Sequence, residues 1–309
     1  MAKDDEQVTR RGALECMAWA AGGLVWTVSG GIPTSRLLGV GEAHAATPGF
    51  SFVQMSDTHV GYNKEANPDV TATLREAIAK VNGLQTRPAF VLHTGDVTHL
   101  SQAGSHEVAV DVLKTLKVDH MHAVPGEHDL ANDGYARWKD LWGRQTGEKG
   151  WVSFDQGGVH FVGLNNVSER SGKLGALGTE QLEWLEKDLS TRSASTPIVV
   201  FAHVPLWSVY PDWGWATADS ERAMTALKKF GSVTVLNGHI HQTLQKVEGK
   251  VAFHTASSTA FPQPAPGSTA APGPMTVPAD KLKSVLGVTQ VNFVPNKGPL
   301  AIVDHSLAT

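Results

Sequence analysis

From Phe50 onward, short apolar runs alternate with stretches whose apolar residues recur at helical spacing, the rhythm of an α/β domain. Phe50–Met55 reads as a strand ending at Ser56-Asp57. Val70, Leu74, Ala77, Ile78 and Val81 fall on one helical face, which predicts a helix over 70–81. The pattern then predicts a buried strand at 89–92, a helix at 108–116 and a strand at 121–124 that runs into Pro125-Gly126. Strands follow at Ile198–Ala202 and 233–236, with helices at 179–189 and 220–230. Gly157-Gly158 separates 152–154 from 160–164 and predicts a hairpin. A second hairpin is expected over 242–247 and 251–254, and a closing one over 292–294 and 300–303. Antiparallel additions of this kind make the sheets mixed and not purely parallel.

With 309 residues, of which 41% are hydrophobic and 18% charged, the chain is long and apolar enough to bury a large core. Its net charge of −4 and the absence of a Lys/Arg block argue against nucleic acid or anionic lipid as a partner. The start of the chain has a different character. Thr9-Arg10-Arg11-Gly12-Ala13-Leu14 precedes a weakly apolar stretch over 16–28 and an Ala43-His44-Ala45 cleavage pattern, so residues 1–45 read as an export signal. It is similar to a Tat signal, with Ala13 and Glu15 standing where Phe and Lys are usual. The apolar stretch is too short for the ~20 residues a membrane span needs. The expected protein is therefore bacterial, exported to the periplasm or beyond, served by the Tat machinery and without a stable membrane anchor. Cleavage near Ala46 removes Cys16, the sole cysteine, which leaves no disulfide, thiolate ligand or Cys nucleophile. Residues 46–309 are expected to be one domain, with a Pro/Ala/Gly-rich surface excursion over 261–278.

Any metal site must then be built from His and carboxylates, and the chain offers these in order. Asp57-Thr58-His59 follows the first strand, Gly95-Asp96 the second, Gly126-Glu127-His128-Asp129 the third, His203 the fourth and Gly238-His239-Ile240-His241 the fifth. Ligand sites in open sheets lie at the C-terminal ends of strands. Carboxylate and neutral imidazole together suit Fe, Zn or Mn, and two such ions form a clamp for displacement at phosphorus.

At these five blocks the chain resembles the calcineurin-like metallophosphoesterase superfamily, over Asp57 to His241, with Glu127 where the family pattern has Asn. The resemblance implies a four-layer α/β/β/α sandwich of two mixed sheets. It also implies one ion on Asp57, His59 and His241, a second on Glu127, His203 and His239, Asp96 bridging both, and a bridging hydroxide as nucleophile. His128 would donate a proton to the leaving oxygen or act as a charge clamp. Asp129 would orient His128 by a hydrogen bond, or serve as a turn or cap residue.

Glu127 alters the formal charge: two divalent ions, three carboxylates and a hydroxide sum to zero, where Asn would leave one positive charge. A neutral centre attracts a dianion less, which favours monoanionic diesters over dianionic monoesters or a more tightly held second metal. The expected activity is phosphodiester hydrolysis on a small phosphate ester. A broad phosphomonoesterase or nucleotidase, and a lapsed metal-containing binding protein, are the alternatives. His99 would face the substrate or be a loop residue, His93 a satisfied buried imidazole, and His120 and His122 packing or rim residues. Trp207, Tyr210, Trp213 and Trp215 would form a substrate wall or cover the core.

Overall fold

The computed structural model describes residues 24–29, 32–37, 49–295 and 300–308. Leu24–Ser29 (β1) and Ile32–Leu37 (β2) pair as an antiparallel hairpin within a unit spanning Met1–Ala46. The twin arginines, Cys16 and the cleavage pattern lie outside the described residues. Among the described residues no helix is long and apolar enough to cross a membrane.

The second unit, Thr47–Thr309, is built on two sheets. Phe50–Met55 (β3) leads into Val70–Asn82 (α1), whose start is fixed by the Asp69 carboxylate accepting the Ala72 N–H at 2.9 Å. Phe90–His93 (β4), Ser105–Leu113 (α2), His120–Ala123 (β5) and Gly134–Thr146 (α3) complete the first half. Val152–Gln156 (β6) and Val159–Leu164 (β7) form the hairpin expected at Gly157-Gly158. Glu169–Ser171 (β8) and Leu174–Ala176 (β9) make a small separate ribbon. Thr179–Ser190 (α4), Ile198–Ala202 (β10), Ser220–Leu227 (α5), Val233–Asn237 (β11), Gln245–Glu248 (β12) and Val251–Thr255 (β13) follow. Ala279–Val285 (α6), Gly287–Phe293 (β14) and Ala301–Ser306 (β15) close the unit.

One sheet runs β12-β13-β11-β10-β7-β6 and the other β15-β14-β3-β4-β5. Parallel centres, β3-β4-β5 and β7-β10-β11-β13, are flanked by antiparallel strands, so both sheets are mixed. Residues alternate between two buried faces. Phe52, Phe90 and Leu92 meet Phe161, Val199 and Phe201 between the sheets, with Phe52 stacked on Phe90 at 5.1 Å and edge-on to Phe161 at 5.3 Å. The opposite face, Val53, Met55 and Val91, packs beneath α1, α2 and the indoles Trp138 and Trp142 of α3. On the other sheet Val162, Ile198 and Val200 lie beneath α4 and α5. This is the four-layer sandwich expected. Leu74 of α1 is fully buried, and its truncation to Ala would cost about 2–5 kcal/mol.

Several elements depart from the sequence pattern, among them the β8–β9 ribbon and α6, which it did not predict. Helix α3 was not expected, although Tyr135, Trp138 and Trp142 carry helical spacing. The helix expected over 108–116 starts earlier because Gly104, at φ 76°, supplies the left-handed turn before Ser105. The closing hairpin is longer than 292–294 and 300–303, because β14 is inserted between β15 and β3 and gains a ladder on both sides. The 261–278 excursion begins buried at Phe261 and becomes largely exposed, without regular structure, before α6.

Candidate metal centre

Every block of donors stands just beyond the C-terminal end of a parallel strand: Asp57 and His59 after β3, Asp96 after β4, Glu127 and His128 after β5, His203 after β10, His239 and His241 after β11. The two sheets present these ends along one edge of the sandwich, and the side chains converge. His241 Nε2 lies 3.2 Å from Asp57 Oδ1 and 3.1 Å from His59 Nε2. A second group forms where His203 Nε2 approaches Glu127 Oε2 at 2.9 Å and His239 Nδ1 approaches Glu127 Oε1 at 3.0 Å. Asp96 Oδ2 sits between the groups, 3.6 Å from His59 Nε2 and 3.4 Å from His203 Nε2. The two groups contain the residues of the two expected ligand sets, with Asp96 between them.

The hydrogen bonds on the outer side of the rings decide what the inner side offers. His203 Nδ1 donates to the Thr94 carbonyl at 2.7 Å and His241 Nδ1 to the Phe261 carbonyl at 2.6 Å, since a carbonyl can only accept. A neutral ring so held aims its Nε2 lone pair into the cluster. The Nε2 atoms of His59 and His241 face one another at 3.1 Å beside carboxylate oxygens, an arrangement that a cation between them would satisfy. The donor set fits two divalent ions.

The titration behaviour has the same cause. Burial would raise the Asp57 carboxyl, but the charges of His241 and His203 and hydrogen bonds from His241 and Ser56 bring it down to about 2. Burial opposes Glu127 likewise, and His239 and His203 outweigh it, holding its carboxyl well below the usual range. His203 is pushed well above its ordinary value; burial works against this, and Asp96 and Glu127 overcome it. His59 goes the other way, lowered first by burial and then by repulsion from His128, His241 and His99.

The backbone is strained here. Asp57, His59, Asp96, His239 and His241 all have positive φ, between 41° and 70°, among eight non-glycine residues that do so in the described chain. Two glycines explain their place in the motifs by close approach. A Cβ at Gly126 would lie 2.1 Å from Asp96 Oδ1, and one at Gly238 2.0 Å from Ser56 Oγ.

Asp129 does not orient His128. Its carboxylate accepts the N–H groups of Val97 (3.1 Å), Thr98 (2.8 Å) and Gly126 (3.0 Å) and the Thr98 hydroxyl (3.0 Å), tying the β4 loop to the β5 loop. Burial and then the nearby Asp96 charge push it up to about 6. These contacts match the turn-residue alternative, since several donors from two loops converge on this one buried carboxylate. His128 is held otherwise: its N–H donates to Asp96 Oδ1 at 2.9 Å, and its ring stacks on His99 at 4.8 Å and meets His59 edge-on at 4.8 Å. Its Nδ1 is buried with no hydrogen-bond partner.

His99, in the loop after β4, is buried beside this site, with Nδ1 3.3 Å from His59 Nδ1. Spacing three residues beyond Asp96 was the available signal. His93 is buried between Thr58 and Gly95, lowered to about 4 by burial, and His122 stacks on Phe154. The four aromatic residues after His203 divide. Trp207 packs on Phe253 at 5.0 Å, covering the core, whereas Trp213 and Trp215 line a cleft that opens at Glu127, His128 and His239. Phe261, at the start of the excursion, packs at 4.8 Å on both His59 and His241. Nothing in the sequence singled it out.

Comparison with known proteins agrees with this geometry. A probable glycerophosphodiester phosphodiesterase of Arcobacter nitrofigilis is 28% identical over 217 residues, covering 67% of this chain and 77% of the relative. A probable cyclic nucleotide phosphodiesterase of Rhodopseudomonas palustris is 26% identical over 276 residues, 83% of this chain and 97% of that one. The fold matches a dimetal phosphatase from Danio rerio with a TM-score of 0.61 at 13% identity, over 84% of this chain and all of the other. The chain is a metal-dependent phosphoester hydrolase. Residues 50–243 match the model of the calcineurin-like phosphoesterase, and the protein belongs to that family.

Proposed function

We propose that the protein is an exported, dinuclear-metal phosphodiesterase acting on a small phosphate ester. The observation that carries the reading is the convergence of two three-residue donor groups on either side of Asp96, next to an open cleft. Asp57, His59 and His241 would hold one ion, Glu127, His203 and His239 the other, with Asp96 shared. Bound there, a pair of Fe, Zn or Mn ions would supply a water-derived nucleophile at neutral pH and absorb charge on the phosphoryl oxygens. His128 would deliver a proton to the departing oxygen: its ring borders the cleft and its Nδ1 is not tied to the protein. Asp129 would keep the loops of Asp96 and Glu127 in register.

Glu127 supports a diester preference by removing one formal positive charge, and two relatives carry names that specify diester substrates. The Tat-type pattern over residues 1–45 supports a periplasmic or secreted location, with metals loaded before export of the folded chain. The test is elemental analysis of the purified protein alongside a screen of phosphate mono- and diesters, with Asp96→Asn and His128→Ala as controls. Two bound metals and diester turnover that both variants reduce is the expected result. Faster turnover of monoesters would replace this reading with a phosphomonoesterase, and bound metal without turnover with a binding protein.

A further inference from the structure

The cleft beside Glu127, His128 and His239 has a volume of about 540 Å³, the size of a pocket that encloses a sizeable organic group and more than glycerol fills. Its outer wall is made by residues outside the metal motifs. Trp213 is half-buried and set edge-to-face against Tyr210 (5.1 Å, 78°) and Trp215 (5.1 Å, 86°), so its indole is braced from two sides. The loop that carries it is stitched to the β8–β9 ribbon: Lys173 Nζ donates to the Asp212 carbonyl at 3.3 Å, and the Ala218 N–H to the Gly175 carbonyl at 2.8 Å. Across the cleft, Gln263 donates its Nε2–H to the His239 carbonyl at 2.9 Å. That bond fixes the amide and leaves Oε1 buried with no hydrogen-bond partner, an acceptor waiting for a donor.

We infer that this cleft is a subsite for a nucleoside, or a similar heteroaromatic alcohol, esterified to the phosphoryl group that the metal centre attacks. The ring stacks on Trp213, and a ring N–H or sugar O–H donates to Gln263 Oε1. The inference rests on the phosphodiesterase reading. Other classes fit the walls less well. An acyl chain would strip water from the polar wall of Lys173, Asp212 and Gln263 without itself supplying a hydrogen bond. Glycerol would leave both the indole and the Gln263 acceptor without a partner.

The experiment uses Mn-loaded, full-length enzyme and two substrates differing only in the second alcohol, the methyl diesters of adenosine 5′-phosphate and of glycerol 3-phosphate, with products followed by chromatography. The parent should prefer the adenosine ester in kcat/KM by roughly tenfold or more, the scale of one base stacked on an aromatic ring. Trp213→Ala should remove that preference and Trp213→Phe restore part of it. No preference in the parent, or an equal loss on both esters in Trp213→Ala, overturns the inference. If the parent cleaves neither diester, it is the phosphodiesterase reading that fails. Calorimetry with adenosine 5′-phosphate and glycerol 3-phosphate then decides the subsite: tighter binding of the nucleotide, lost in Trp213→Ala, upholds it, and equal binding overturns it.

Discussion

His59 and His99 face one another through their Nδ1 atoms at 3.3 Å, so one ring must carry a proton there and the other accept it. With His59 Nε2 turned towards His241 and Asp96, ligation through that atom puts the proton on His59 Nδ1 and makes His99 the acceptor. His99→Leu removes the acceptor and is expected to weaken metal retention by about 10- to 100-fold. His99→Gln, whose amide oxygen accepts, should retain most of it. Metal content after dialysis against graded chelator measures both variants, and equal retention in Leu and Gln would show that the contact is mere packing.

His128→Ala should slow the release of alkyl alcohols by about 10²–10⁴-fold, the usual worth of a positioned acid. Nitrophenolate leaves without a proton, so its ester should suffer much less. A plot of log kcat against leaving-group pKa, steeper in the variant, is the expected signature.

Glu127→Asn restores one formal positive charge to the centre. Monoester turnover should rise relative to diester turnover on matched substrates, or the second metal should be held less tightly. An unchanged ratio together with unchanged metal content would retire the charge argument.

Gly126→Ala places a Cβ 2.1 Å from Asp96 Oδ1 and 2.3 Å from the Asp96 backbone nitrogen, so the backbone itself must move. Circular dichroism should stay near that of the parent while bound metal and activity fall together.

Far from the site, buried His160 is held by Asp188 at 2.6 Å and Asp155 at 2.9 Å, with Ser153 also donating to Asp188. Burial would raise the Asp188 carboxyl, but hydrogen bonds from His160 and Ser153 and the charges of His160 and Arg192 hold it below its ordinary value. A lowered folded-state pKa means this stability is present above the unfolded value of ~3.9 and fades as pH falls through the folded one. Asp188→Asn should therefore cost about 1–3 kcal/mol near neutral pH, and urea midpoints of parent and variant should converge below pH 4.

Much of this was legible because the chemistry follows the strands. Met55, His93, Ala202 and Asn237 end parallel strands whose apolar runs can be read directly, and each is followed within a few residues by a donor. What escaped depends on contacts between distant segments. Phe261 reaches His241 through a backbone carbonyl, an atom every residue possesses, so no side chain advertised it. Asp129 looked like a partner for its neighbour His128, but sequence proximity says nothing of the Val97 and Thr98 amides folded over it. Helix α3 was obscured by a polar surface between its indoles.

Five of the metal-binding candidates hold left-handed backbone, a conformation that costs a side-chain-bearing residue of order 1–3 kcal/mol. Glycine at any of them would relax the chain and abolish a ligand. The Phe-lined sandwich thus supports a rim that local preference alone would reshape, so the most thermostable sequence for this fold and the most competent one are different sequences.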